Sequence, residues 1–204
     1  MKYLVIGGTG RTGRLAVELL RGEGHEAVVG TRHPRDGHSI AVDLAKQPDP
    51  HLLDGFDGVI VSVEPPVDDA GADAVMNTGV AALSELAAAQ KIPVVLVSQI
   101  YITRASEHPD MAGIINARGA GEKALRRSGA PYAIVRPSWL TNSAASGARL
   151  EQGDRGDGRV SRETVARAAV AALLHSESHG KTFELYDAPN AVDWGAAFSA
   201  LMPD

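Results

Sequence analysis

The chain has no cysteine among its 204 residues. This absence excludes disulfides, thiolate metal sites and a cysteine nucleophile. Aromatic residues are also scarce, at 4%, whereas hydrophobic residues make up 44%, so we expect a core that is mostly aliphatic and rich in alanine. Basic residues are fewer than acidic ones, 20 against 25, and the resulting net charge of −5 argues against a nucleic-acid partner.

No apolar stretch approaches the length of a transmembrane helix, and the sequence opens on a strand-like segment instead of a signal peptide. We therefore expect no membrane association and a cytoplasmic location. His175 and His179 have the spacing of a metal-binding pair, but no third ligand accompanies them, so we expect no metal site. The length suits one domain.

The first residues follow the order strand, glycine-rich turn, helix. Lys2 to Ile6 form a short apolar run of strand formers, and a helical pattern starts at Arg14. The glycines between them satisfy G-x-G-x-x-G and G-x-x-G-x-x-G at once, which lets a pyrophosphate approach the backbone and the helix N-terminus. This context predicts a dinucleotide site formed by Gly7, Gly8, Thr9, Gly10, Arg11, Thr12 and Gly13.

The second strand, Glu26 to Thr31, ends without the acidic residue that binds the ribose 2′-hydroxyl of NAD. Arg32 and Arg35 follow instead, and a guanidinium suits a 2′-phosphate, so NADP(H) is favoured over NAD(H). Arg11 is a third candidate, although any of these could be a solvated loop charge. Farther on, Asp43 and Leu44 could flank an adenine, or Asp43 could merely cap the next turn.

Strands continue to alternate with helices along the chain. This order predicts an α/β fold with a doubly wound parallel sheet, a three-layer α/β/α Rossmann fold. Residues 144–158, which contain an Arg-Gly-Asp tripeptide that we interpret as coincidence, are expected to be irregular. We expect a single NAD(P)-binding domain over 1–204, with a small substrate-side region at about 138–160 and 186–204. The remaining strands are predicted at 39–42, 58–63, 93–98, 132–135 and 181–186, and the helices at 72–90, 111–128, 161–175 and 193–202.

Five stretches of the chain resemble the atypical short-chain dehydrogenase/reductase family, in its NmrA-like and biliverdin/flavin-reductase-like branch. The resemblance implies that the glycine turn and Arg32 hold NADP, that the tip of the fifth strand lies beside the nicotinamide, and that the segment after strand six closes over it. It adds Val63, Arg118 and Pro137 to the expected cofactor contacts. The stretches are residues 5–13, Arg32, 95–98, 122–137 and 160–166.

The chain departs from this family at the catalytic helix. Members that act on carbonyls or alcohols use a tyrosine and a lysine in a Y-x-x-x-K spacing, whereas Ile114 and Arg118 stand at those positions here. An isoleucine cannot transfer a proton, and Arg118 could hold only a ribose or a phosphate. Ser98 is the available serine, and Tyr101 could replace the missing tyrosine if it turns into the pocket; these two are the candidate catalytic residues.

Hydride transfer to a flavin or quinone does not need that tyrosine. The leading hypothesis is therefore an NADPH-dependent reductase of a flavin-, quinone- or carbonyl-type small molecule. We expect no protein-bound metal and a monomer or homodimer, with residues 107–110 as a possible lid. The expected substrate contacts are Gln99, Tyr101, Ser138 and Trp139, the last of which could equally be a core residue.

Two other functions stay open. A non-catalytic NADP(H) sensor that reports to a protein partner would also lack the tyrosine and lysine. A sugar-nucleotide epimerase or dehydratase would need an acid/base residue at the reacting carbon. The feature that separates reductase from sensor is what faces the nicotinamide, since an open cleft implies a substrate and a blocked one implies sensing.

Overall fold

The computed structural model describes residues 1–145 and 147–204. Its strands, numbered in chain order, are β1 (Lys2–Ile6), β2 (Glu26–Thr31), β3 (Ser39–Ala41), β4 (Gly58–Val61), β5 (Val94–Val97), β6 (Tyr132–Pro137), β7 (Trp139–Thr141), β8 (Gly147–Glu151), β9 (Arg159–Ser161) and β10 (Lys181–Ala188). Eight of them form the central sheet, in the order β3-β2-β1-β4-β5-β6-β10-β8. β7 and β9 pair separately as a small parallel sheet.

Helices cover both faces of the central sheet. They are α1 (Arg11–Gly22), α2 (Asp69–Asp73), α3 (Val80–Gln90), α4 (Ala112–Ser128), α5 (Arg162–Leu174) and α6 (Trp194–Ser199). α1 and α5 pack on one face, and α3 and α4 pack on the other. The predicted three-layer, doubly wound Rossmann fold is therefore confirmed.

β1 illustrates why these strands are almost entirely apolar. Tyr3 and Val5 belong to the core shared with α1 and α5, whereas Leu4 and Ile6 belong to the core shared with α3 and α4. A parallel strand that is buried on both faces needs apolar residues at every position, not at alternate ones. The continuous runs in the sequence follow from this double burial.

The register of the central strands brings their carboxyl ends to the same height at one edge of the sheet. Ile6 of β1 pairs with Gly30 of β2 on one side and with Val61 of β4 on the other. The chain winds outward in opposite directions from β1 and β4, so these two strands flank the topological switch point of the sheet. Ligands of open α/β sheets bind in the crevice at such a point.

The long crossover helix is interrupted by a π-helical turn, Ala74–Gly79, between α2 and α3. Two close backbone contacts accompany this turn. A Cβ on Gly79 would collide with the carbonyl of Leu44, and a Cβ on Gly121 of α4 would collide with the carbonyl of Met76. The wider turn thus lies where the helix must approach two neighbours without side chains between them.

The prediction of an irregular stretch over 144–158 is wrong for residues 147–151. These residues form β8, which pairs antiparallel with β10 and makes one edge of an otherwise parallel sheet. Ala148 and Leu150 pack against the core, whereas Arg149 is exposed. The strand exists because this alternating pattern meets the free edge of β10.

The described part of the chain contains no helix that is long and apolar enough to cross a bilayer.

The last helix, α6, packs on the face of the sheet that carries α1 and α5. There the ring of Phe198 lies 5.5 Å from the ring of Phe183. Residues 186–204 therefore support the core on that face. None of them is among the described residues that line the cavities at the carboxyl ends of the strands.

Candidate active site

The glycine turn connects β1 to α1 by a path that side chains would block. Gly7 has a φ of +83° and donates its N–H to the carbonyl of Gly30 at 2.9 Å. A Cβ there would collide with the carbonyl of Ser62, and a Cβ on Gly13 would collide with the carbonyl of Gly7. Gly8 is buried, and its Cβ would press on Val5 and Val29, so this glycine permits close packing of helix and strand.

The first turn of α1 opens into the crevice. Gly10 is the N-cap and supplies no side-chain hydrogen bond, and no acidic residue lies in the first turn. The N–H groups of that turn and the positive end of the helix dipole are thus available to an anion. Thr9, Gly10, Arg11 and Thr12 line the crevice at this point.

Three adjoining cavities form one groove across the carboxyl ends of the strands. The first, of about 320 Å³, lies beside the glycine turn and the end of β2. Arg32 lines it together with Asp43, Leu44 and Val63, which are three of the other predicted cofactor contacts. The carboxylate of Asp43 also accepts the N–H of Ala45 at 3.1 Å, so the residue caps its turn and faces the groove at once.

Arg35 lies apart from this cavity. Its side chain is exposed and its backbone N–H donates to Ser39 Oγ at 3.1 Å. The structure therefore places only one of the two arginines after β2 on the wall of the groove, and that residue is Arg32.

The middle section of the groove, about 180 Å³, is lined by buried polar atoms whose hydrogen bonds are long or missing. Arg118 is 4% exposed, yet its bonds to the carbonyls of Val97 and Val63 are long, at 3.3 and 3.5 Å, and it lies 3.4 Å from Glu64. Burial lowers the pKa of Arg118. Among the described residues, Arg118 Nε and the hydroxyl of Ser98 are buried polar atoms without a partner. Donors left unpaired on a groove wall fit a ligand rich in hydroxyls and phosphates.

A second cation points to the same conclusion. Arg162, the first residue of α5, lines the middle section together with Arg11. Burial lowers the pKa of Arg162, and the nearby charge of Arg11 lowers it further. Two guanidiniums that repel each other across a groove favour an anion between them.

The third cavity, of about 300 Å³, continues the groove beyond β5 and β6. Its polar wall contains the predicted residues Ser98, Gln99 and Ser138, and Pro137 borders both this cavity and the middle section. The remaining lining residues are Glu64, Ile100, Tyr101, Met111, Arg118, Trp139, Leu140 and Arg162.

Tyr101 and Trp139 form the aromatic wall of this third cavity. The indole Nε1–H of Trp139 donates to the Tyr101 hydroxyl at 2.9 Å. The ring of His108 lies on one part of the Tyr101 ring, with centroids 3.9 Å apart, and the Arg104 guanidinium lies 4.8 Å from the same centroid. His108 and Met111 belong to the predicted lid and its continuation, so this segment packs directly on the cavity wall.

Tyr101 has a φ of +73°, a left-handed conformation that costs a non-glycine residue roughly 1–2 kcal/mol. Burial raises the pKa of its phenol, and a hydrogen bond to Asp157 raises it further. The phenol is thus kept protonated at neutral pH, and its environment is the reverse of one that would make it a base. It is poorly suited to accept a proton from a substrate.

Ile114, which stands at the position of the family's tyrosine, packs against the core between the sheet and α3. It therefore offers the groove no proton donor. Several groove residues were not among the predicted sites: Ser62, Glu64, Ile100, Met111, Leu140 and Arg162. Ser62 and Glu64 follow β4 directly, so their position at the carboxyl end of a parallel strand was the available signal. Arg162 lay within a stretch of the family resemblance to which no role was attached.

A buried ion-pair network lies immediately behind the third cavity. Arg136, the residue before Pro137, holds Glu122 through two hydrogen bonds of 3.0 and 2.6 Å and Glu184 through one of 3.0 Å. Burial acts to lower the pKa of Arg136, but the two carboxylates outweigh it and the pKa is raised. The network ties α4 and β10 to the strand that carries the cavity wall.

Fold, glycine turn and groove together define an NAD(P)-binding Rossmann protein. A family described as NAD(P)H-binding matches residues 7–176, and the chain belongs to this family. An uncharacterized chloroplastic protein of Arabidopsis thaliana is 30% identical over 216 residues, which cover 90% of this chain and 76% of that protein. The predicted membership of the atypical, NmrA-like dehydrogenase/reductase group is confirmed.

Solved structures with the same fold come from several bacteria. One from Bacillus halodurans, provisionally assigned as an NAD-dependent epimerase/dehydratase, has a TM-score of 0.87 and 21% identity and covers 98% of this chain and 100% of that one. One from Streptococcus pneumoniae, provisionally assigned as an NADH-flavin reductase, has a TM-score of 0.78 and 17% identity and covers 92% and 100%. At these identities the likeness establishes the fold.

Proposed function

We propose that this protein is an NADPH-dependent reductase that transfers hydride to a flavin-, quinone- or carbonyl-type small molecule without a tyrosine–lysine pair. The observation that carries the proposal is the third cavity, about 300 Å³ of space that continues the groove past Ser98 and has an aromatic wall. A substrate needs such a space beside the nicotinamide, and a protein that only senses the cofactor does not. The matched NAD(P)H-binding family and the flavin-reductase assignment of one neighbour support the same class.

The bound cofactor would supply the hydride. The chain's own residues would bind and orient it: the glycine turn and the α1 N-terminus would receive the pyrophosphate, and Arg11 and Arg162 line the adjoining section of the groove. Ser98 and Arg118 have the unpaired donors to hold the ribose and nicotinamide end. The aromatic wall of Tyr101 and Trp139 positions a planar acceptor by stacking. Positioning of this kind supplies most of the catalysis when the acceptor needs little acid assistance.

NADPH is proposed over NADH because of the end of β2. No acidic residue stands there, and Arg32 lines the cavity where the adenosine ribose is expected. A guanidinium gains charge-assisted hydrogen bonds from a 2′-phosphate that a 2′-hydroxyl cannot provide.

An epimerase is the competing enzyme class, and the assignment of the Bacillus halodurans protein favours it. Epimerisation requires a group that takes a proton from the sugar and later returns one. Tyr101 is the one phenol lining the third cavity among the described residues, and its raised pKa disfavours the proton-accepting half of that cycle. The reductase is therefore the better supported of the two enzyme classes.

The test is cofactor oxidation by the purified protein. NADPH and NADH would each be supplied with FMN, with two quinones of different size and with a nucleotide sugar. Turnover of NADPH with FMN or a quinone is the expected result. Saturable NADPH binding without turnover of any acceptor would contradict the reductase and favour the sensor, and interconversion of the nucleotide sugar would favour the epimerase.

A further inference from the structure

The loop 153–158 does not line the groove, but it is hydrogen-bonded to residues 101–104, which follow β5. Asp154 is 1% exposed, and its carboxylate accepts three hydrogen bonds. Oδ1 accepts the backbone N–H of Tyr101 at 2.7 Å. Oδ2 accepts the backbone N–H of Thr103 at 2.8 Å and its hydroxyl at 3.0 Å. A single buried carboxylate therefore satisfies three donors of the turn that carries the cavity wall.

The conformation of Tyr101 needs such support. A non-glycine residue with a φ of +73° persists only where its surroundings impose that conformation. The bond from its N–H to Asp154 fixes the peptide plane that enters the residue. Without that acceptor the buried N–H would lose its partner and the chain could relax toward a negative φ, which would carry the ring away from its position.

The same loop also holds the Tyr101 side chain. Asp157 accepts a hydrogen bond from the phenol, and this bond lowers the pKa of the Asp157 carboxyl. The carbonyl of Gly156 accepts a bond of 2.8 Å from Arg104, whose guanidinium lies over the Tyr101 ring. The Arg-Gly-Asp tripeptide thus has an internal structural use.

The loop is in turn fixed to the sheet. Asp154 lies near the carboxylate of Glu184, which pairs with Arg136 at 3.0 Å. Asp154 itself does not line the third cavity. Asp154 thus lies between the buried ion-pair network and the backbone of Tyr101. Of Asp154 and Tyr101, only Tyr101 lines the third cavity.

We propose that Asp154 is a positioning residue, which holds Tyr101 in its left-handed conformation and so keeps the phenol ring in the wall of the acceptor cavity. The expected effect on turnover rests on the proposed function, whereas the expected effect on conformation does not. The two can therefore be tested separately.

The conformational test uses Trp139 as a reporter, because its indole is bonded to Tyr101. The chain has two tryptophans, so a Trp194→Phe background leaves Trp139 alone. Asp154→Asn keeps the shape of the side chain but replaces one accepting oxygen by an amide that cannot accept. We expect a shift of the Trp139 emission and at least a twofold increase in its quenching by acrylamide.

The matched control is Asp187→Asn. Its carboxylate likewise accepts a backbone N–H, from Ser161 at 2.9 Å, and a hydroxyl, from Thr164 at 2.8 Å, but it contacts neither Tyr101 nor Trp139. This variant is expected to leave the Trp139 signal unchanged. A folded Asp154→Asn variant with the emission and quenching of its parent would overturn the proposal.

A second variant decides the matter if Asp154→Asn does not fold. Glycine adopts a left-handed φ without strain, so Tyr101→Gly combined with Asp154→Asn should recover a folded protein. Failure of this double variant to fold, with Tyr101→Gly alone folded, would mean that Asp154 supports something other than the Tyr101 conformation.

The kinetic test follows turnover of NADPH with the best acceptor. Asp154→Asn should raise the acceptor KM at least fivefold and leave the dissociation constant of NADPH within twofold. In a Tyr101→Ala background it should have no further effect on the acceptor KM, because it acts through Tyr101. An equal loss of NADPH affinity would indicate general loosening and would contradict the proposal. If the wild-type protein turns over no acceptor, the proposed function fails, and the Trp139 measurements still decide the role of Asp154.

Discussion

Trp139 Nε1 lies 2.9 Å from the hydroxyl oxygen of Tyr101, and this hydrogen bond joins β7 to the segment after β5. Trp139 remains 46% exposed despite the bond. An indole with that exposure is not a core residue, which leaves stacking on a ligand as the better of the two roles considered from the sequence.

Trp139→Phe should therefore raise the acceptor KM about three- to tenfold, because phenylalanine keeps an aromatic face but loses the donor that orients Tyr101. The NADPH dissociation constant should be unaffected. Steady-state kinetics with a cofactor titration would measure both. Trp194→Phe is the control, since Trp194 begins α6 and lies outside the groove. A Trp139→Phe variant with unchanged acceptor KM would exclude the aromatic wall from substrate binding.

Arg32→Ala should weaken NADPH binding about tenfold or more, which corresponds to the ~1.5–3 kcal/mol of a hydrogen bond to a charged group. NADH binding should change little, because its ribose carries no phosphate. Fluorescence titration of both cofactors checks this prediction. Arg35→Ala provides the comparison, because Arg35 is exposed and does not line the groove. Equal losses for both cofactors in Arg32→Ala would argue against a 2′-phosphate contact.

Gly13→Ala should abolish measurable cofactor binding and cost about 1–3 kcal/mol of unfolding free energy, because its Cβ would collide with the carbonyl of Gly7. Gly22→Ala lies in the same helix with nothing within 4 Å of its Cβ. That change should be neutral or stabilising by up to about 1 kcal/mol, owing to the higher helix propensity of alanine. Urea unfolding of both variants separates steric overlap from propensity.

Arg136→Met should destabilise the protein by about 3–5 kcal/mol, because it leaves the buried carboxylates of Glu122 and Glu184 without their common cation. Arg127→Met removes an exposed arginine near the end of α4 and should change stability by less than about 0.5 kcal/mol. Chemical denaturation at neutral pH is the measurement. Similar stabilities for the two variants would mean that the network contributes nothing beyond ordinary surface charge.

Glu184→Gln should alter the pH dependence of stability. Burial raises the pKa of the Glu184 carboxyl, so the folded state holds its proton at a pH where the unfolded state has released it. At pH values below the unfolded pKa of about 4.3 both states are protonated, and stability then falls as pH rises toward the folded pKa. The glutamine variant lacks this loss. Its unfolding free energy relative to wild type should therefore increase from pH 4 to pH 7, and a constant or decreasing difference would contradict the prediction.

The sequence predicted the parallel strands and the glycine turn well because both depend on local chemistry. A strand buried on two faces must be continuously apolar, and a turn that a side chain would block must contain glycine. The antiparallel β8 was missed because Ala148 and Leu150 alternate with charged residues over only a few positions. Such a pattern becomes a strand only when the edge of β10 is available, and that is a property of the assembled sheet.

The residues that line the third cavity were predicted only in part. Ser98, Gln99 and Ser138 follow strand ends, so their placement could be read from the strand pattern. Asp154 gave no such signal, because its importance comes from a contact with Tyr101 more than 50 positions away in the chain and from the unusual φ of that residue. Long-range contacts of one side chain with a distant backbone leave no periodicity in a sequence.

The π-helical turn has a consequence for the first cavity of the groove. Val75 lies within it and lines the cavity beside Asp43 and Leu44, whereas Gly79 closes against the Leu44 carbonyl. A π-helical turn contains more residues than an α-helical turn, so the residues of α3 are rotated about the helix axis relative to those of α2. The two parts of the segment can therefore face different neighbours. A change of one residue in the length of this helix would therefore alter the shape of the first cavity before it altered the sheet beneath it.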